Sequence, residues 1–148
     1  MDKNVEELVK QMLYDKDISE VIGQLDEIVD SEILHIYAYN YNWDNGFEIP
    51  RKIIQKDCCQ LSTALMVFYA ADGVRYLQDK NEVNNLKEWS IFIKELYNKI
   101  INNEFLEGTI KFTPPLSKVQ IFKIKKIINT NEEVFLKEIG TNDLNICL

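Results

Sequence analysis

"LSTALMVFYAA", Leu61–Ala71, decides the fold. The run is apolar almost all round, long for a buried strand, and poor in β-branched residues, so it predicts a buried central helix. The segments before it carry helical spacing. Val5, Leu8, Val9, Met12 and Leu13 fall at i, i+3, i+4, i+7 and i+8, with Asn4 and Glu7 placed as a capping box. Asp17 and Glu20 repeat that signature before Ile18, Val21, Ile22, Leu25, Ile28 and Val29. A third helix is expected from Asp30 or Ser31, with Leu34, Tyr37, Ala38 and Tyr41 on one stripe. Pro50 suits the first turn of a short fourth helix carrying Ile49, Ile53 and Ile54.

Beyond the central run, Asn81–Asn103 is the longest periodic segment. Leu86, Trp89, Ile93, Leu96, Tyr97 and Ile100 share one face, opposite Lys87, Glu88, Lys94 and Glu95. Pro114 and Pro115 cannot continue a helix, so Glu107–Pro115 reads as extended or loop. Ser117 and Gln120 form a second capping box with Leu116 and Ile121 as its staple, which favours a helix over 118–128 although Val119–Lys125 also alternates. Val134–Cys147 fits either period. The expectation is one all-α domain over residues 1–148, of six or seven helices, with short extended segments near 107–115 and at the C-terminus.

Composition agrees. A chain of 148 residues can bury a core without staples, and 46% apolar with 28% charged residues is the ordinary globular range. Five Gly and three Pro leave no flexible linker. Cys58, Cys59 and Cys147 make no disulfide framework, and with His35 as the only histidine no four-ligand Cys/His zinc site is expected. Nothing calls for a metal or a cofactor. The N-terminus, MDKNVEELVK, has no apolar h-region and no run is long enough to span a bilayer, so a soluble, cytoplasmic, membrane-free protein with reduced thiols is expected. Position near the start of the central helix would lower the pKa of Cys58 or Cys59 if either were exposed.

Charge is uneven. Residues 1–50 hold twelve Asp/Glu against three Lys, a net of −9, whereas residues 51–148 hold twelve against fourteen Lys/Arg, a net of +2. An acidic first third repels nucleic-acid phosphates and attracts a basic protein. Solvated helix faces explain the same charges without any partner, and the oligomeric state stays open.

The stretch "YAYNYNWDNGFEIP", Tyr37–Pro50, joins the third helix to the fourth. Asn45 and Gly46 signal a turn because both tolerate positive φ, and Asp44 suits an Asx turn. Trp43 and Phe47 flank the turn and would pin it to the core. An EF-hand register fails: starting at Asn40 puts Asn45 in the glycine place and Arg51 in the glutamate place, and starting at Tyr41 puts Trp43 and Lys52 at ligand positions.

Three blocks, "YNYNWDNGFEIP", "CQLSTALMVFYAADG" and "FTPPLSKVQIFKIK", stand in this order with a long helix between the second and third. Over roughly residues 30–128 they resemble a family of small bacterial helical proteins classed as a domain of unknown function. The resemblance implies a helical fold and no established activity. It also suggests the company of small cytoplasmic proteins that protect bacteria from their own secreted toxins.

Two functions follow as expectations. One is an immunity-type protein that neutralises a basic toxin, such as a nuclease, through Asp26, Asp30, Trp43, Asp44 and Glu48. The other is a small hydrolase-like enzyme using Asp44, Glu48, Asp72 and His35 in one cleft. A purely structural role is the bland alternative. His35 on an apolar helix reads first as a buried core residue, and Asp72-Gly73 reads first as a helix end. No Gly-rich phosphate loop, G-x-S-x-G elbow or H-E-x-x-H motif is present.

Overall fold

A computed structural model describes residues 1–81 and 87–148. Leu86, expected on the long helix's inner stripe, lies outside the described residues, as does the rest of 82–86. Among the described residues eight α-helices run in chain order, against six or seven expected: α1 Lys3–Tyr14, α2 Ile18–Glu27, α3 Ser31–Asn40, α4 Glu48–Gln55, α5 Leu61–Ala70, α6 Val74–Gln78, α7 Lys87–Ile101 and α8 Lys118–Lys125. Among the described residues, a 3₁₀ segment Trp43–Asn45 joins α3 to α4, and a second, Thr130–Leu136, follows α8. The all-α expectation holds, and seven of these helices lie in stretches that the sequence predicts as helical. The eighth, α6, has too few residues to show a period.

Local chemistry sets the boundaries. At α2, Asp17 accepts from the Glu20 N–H at 2.8 Å while the Glu20 carboxylate reaches back to the Asp17 N–H. Ser117 and Gln120 do the same for α8. The cap of α1 differs from expectation: Asp2, not Asn4, accepts from the Asn4 N–H at 2.7 Å, so the helix begins earlier.

α5 is the centre. Ser62, Thr63, Ala64, Leu65, Val67 and Phe68 are all buried, and the helix packs against α3 on one side and α7 on the other. α3 in turn contacts α1 and α4, while α2 packs on α4. Each flanking helix delivers one apolar stripe: Leu34, Tyr37 and Ala38 from α3, and Trp89, Phe92, Ile93, Leu96 and Ile100 from α7.

α5 ends in a Schellman motif. The Gly73 N–H bonds to the Phe68 carbonyl at 2.8 Å and the Asp72 N–H to the Tyr69 carbonyl at 3.0 Å, with Asp72 at φ 61°. The Trp89 indole N–H then caps the Ala71 carbonyl at 2.6 Å. Beyond α7 the chain is extended, as expected. Ile110 bridges to Asn142 and Phe112 to Ile139, so the 107–115 stretch and the C-terminal residues pair with each other rather than forming a sheet.

Candidate functional site

The Tyr37–Pro50 stretch closes as an aromatic clasp. Tyr41 donates its hydroxyl to the Gly46 carbonyl at 2.7 Å, and burial pushes that hydroxyl's pKa up to about 12, with the Glu48 carboxylate adding to the effect. Trp43 stands edge-on to Tyr41 at 5.3 Å, and both Trp43 and Phe47 reach Phe92 of α7, at 6.2 and 5.2 Å. Such ring pairs contribute about 0.5–1.5 kcal/mol each beyond their buried area. Gly46 turns the chain at φ 88°, ψ −159°, a conformation that belongs almost solely to glycine. The Asx role falls to Asn42, whose side chain accepts from the Asp44 N–H at 3.0 Å, and Asn45 does not use positive φ. Asp44 is thereby left without a backbone duty.

The acidic residues proposed as a partner surface divide by what they touch. Asp44 and Glu48 are exposed beside the clasp, and Trp43 is half-buried. Glu48 lines a shallow groove of about 440 Å³ with Asn45, Arg51, Glu88 and Ile91. Asp26 and Asp30 have structural work instead. Asp26 pairs with Lys52, whose ammonium holds its carboxyl below the usual range, and Asp30 caps α3 by accepting from the Glu32 N–H at 2.8 Å.

The residues of the hydrolase-like constellation do not line a common cleft. Glu48 lines the groove by the clasp, His35 lines a separate cavity, and Asp44 and Asp72 line neither. Asp72 is a helix-end residue, 3.5 Å from Arg75. Among the described residues, no three His, Cys, Asp or Glu side chains gather as a metal site requires. The cysteines form no disulfide, and burial raises the Cys58 thiol and pushes Cys59 up to about 12, so desolvation overrides any effect of the helix start. No helix among the described residues is long and apolar enough to cross a membrane.

Sequence reasoning missed the His35 cavity. It encloses about 510 Å³ and is walled by Tyr39 of α3, Met66, Tyr69 and Ala70 of α5, Phe112 and Pro115 of the extended segment, and Ile146. His35 Nδ1 lies 2.8 Å from the Thr63 hydroxyl, and burial holds the imidazole's pKa down to about 4, so the ring is neutral. The only sequence signal was a lone histidine on an otherwise apolar helix.

Neither the curated proteins nor the solved structures contain a match to this chain. A family model does match, from the residue before the α3 cap to the last residue of α7, which takes in the clasp and the α3–α5–α7 core. The third sequence block, Phe112–Lys125, lies beyond it. Over residues 29–101 this chain matches the model of an uncharacterised family, the domain of unknown function DUF4274.

Proposed function

We propose that this chain is a protein-binding domain that engages a basic partner through its acidic N-terminal third. One observation carries this reading. Of the twelve carboxylates in residues 1–50, only Glu6 and Asp26 have an ion-pair partner among the described residues, with Lys10 and Lys52. Ten are therefore unneutralised, and all ten are exposed. Like charges held this way cost the fold self-repulsion, while they speed the approach of a basic protein. The clasp adds an anchor, since Trp43 is half-buried between the exposed Asp44 and Asn42. The three-block resemblance supplies the partner class: a basic toxin, such as a nuclease, that an immunity-type protein would neutralise.

The test needs charges without structural duties. Glu27, Asp44 and Glu48 qualify: each is exposed, and none has a side-chain hydrogen bond or ion pair among the described residues. Affinity capture from the source cell, with wild type and the Glu27→Lys/Asp44→Lys/Glu48→Lys variant as parallel baits, should recover a protein of basic pI on the wild type alone. Equal recovery on both baits, or a captured partner of acidic pI, would overturn the proposal.

A further inference from the structure

We propose that the cavity between α3, α5 and the 111–115 and 143–146 segments binds a small, uncharged, mainly apolar molecule whose hydroxyl hydrogen-bonds to the unpartnered ring nitrogen of His35. The inference uses none of the acidic residues above and stands apart from them.

The volume, about 510 Å³, falls within the roughly 300–1,000 Å³ usual for small-molecule sites. Its walls are apolar or aromatic: Met66, Tyr69, Ala70, Phe112, Pro115 and Ile146. Two polar groups near it are already engaged. The Tyr69 hydroxyl donates to the Phe135 carbonyl, and the Asn40 amide donates to the Ile36 and Ile146 carbonyls at 2.9 Å. Of the polar lining residues, His35 alone is buried. Its side chain is 3% exposed and lines the cavity, Nδ1 is engaged by Thr63, and Nε2 has no partner among the described residues. A ligand group that reaches this nitrogen forms a hydrogen bond that an apolar group of the same size cannot.

The chemistry of that group follows from the ring. Thr63 can donate to or accept from Nδ1, so Nε2 is an acceptor in one tautomer and a donor in the other. A hydroxyl answers both. A carboxylate does not: buried beside a neutral imidazole it would lose its hydration with no compensating charge. Charged groups on the lining, Lys111 and Asp143, are exposed, so any ionic part of a ligand would stay at the mouth.

A matched pair of probes tests this. 2-Naphthol carries a hydroxyl where 2-methylnaphthalene carries a methyl group of similar size. In ¹H–¹⁵N titrations both should bind saturably, shifting amides of α3, α5 and the 111–115 segment, with 2-naphthol the tighter. His35→Phe should weaken 2-naphthol about three- to tenfold, the value of one neutral hydrogen bond, and leave 2-methylnaphthalene within about twofold. Ala70→Trp, at an exposed position on the wall, should abolish both and serves if His35→Phe does not fold. Failure of both probes to saturate overturns the site. So does Ala70→Trp binding as wild type. Equal affinity of the two probes for wild type, or equal loss with His35→Phe, overturns the role of His35.

Discussion

The clasp makes a prediction in which packing and backbone strain separate cleanly. At Gly46 an added Cβ meets no atom within 4 Å, yet φ is +88°. Gly46→Ala therefore creates no clash, and its whole cost is conformational, about 1–3 kcal/mol for a residue forced into that region. Gly23 supplies the control. It lies on the exposed side of α2, and its added Cβ also meets nothing within 4 Å, but its backbone is helical. Gly23→Ala should stabilise by about 0.5–1 kcal/mol. For a chain of this length 1 kcal/mol moves Tm by about 2–4 °C. Thermal melts followed by circular dichroism at 222 nm should then place Gly46→Ala roughly 2–12 °C below wild type and Gly23→Ala roughly 1–4 °C above it. Urea midpoints should give the same order. A Gly46→Ala protein as stable as wild type would refute the conformation assigned to the turn.

Further outcomes follow from the core and its titrating groups. Leu65 is fully buried at the centre of α5, so Leu65→Ala should lower the unfolding free energy by about 2–5 kcal/mol, measured by urea titration. Asp72 holds φ 61° at the end of that helix while its contact with Arg75 is exposed, so Asp72→Gly should raise stability by about 0.5–1 kcal/mol in the same titration. His35 titrates at about 4 when folded and near 6.5 when unfolded, so between those values only the unfolded chain takes up the proton. Stability should be full above about pH 6.5 and fall by about 3 kcal/mol as pH drops to 4, and urea midpoints of His35→Phe should lack that slope.

The elements that could be read from sequence are those fixed by neighbours in the chain. The Asp17–Glu20 and Ser117–Gln120 boxes need only three residues of separation, and the apolar run Leu61–Ala71 declares its own burial. Where two local solutions compete, the better one wins: Asp2 starts α1 two residues before the Asn4 cap would, and Asn42 rather than Asp44 makes the Asx turn. Elements that depend on distant partners were illegible. Thr130–Leu136 shows no period because it is held from elsewhere. Its buried Glu132 meets the Lys80 ammonium at 2.8 Å and the Tyr97 hydroxyl at 2.8 Å, and these bonds with the Asn129 N–H outweigh desolvation and keep its carboxyl below the usual range. The His35 cavity is illegible for the same reason. Its far wall comes from Phe112, Pro115 and Ile146, which are brought to α3 and α5 by contacts distant in sequence: the pairing of 110–112 with 139–142, Phe112 on Tyr69, and the Asn40 amide on the Ile146 carbonyl. Of the expected partner surface, the charge excess was visible in sequence, but not that Asp26 and Asp30 are engaged while Asp44 and Glu48 have no side-chain partner among the described residues.

The measurement closest to the central proposal is the association rate with the captured basic partner, by stopped flow across ionic strengths of about 0.02–0.3 M, where the screening length falls from about 20 to 6 Å. An acidic face that steers encounter predicts a wild-type rate that drops steeply with salt. Glu27→Lys/Asp44→Lys/Glu48→Lys should associate at least about tenfold more slowly at low salt and respond weakly to it, with Tm within a few degrees of wild type. Equal rates and equal salt slopes for the two proteins would contradict an acidic binding face.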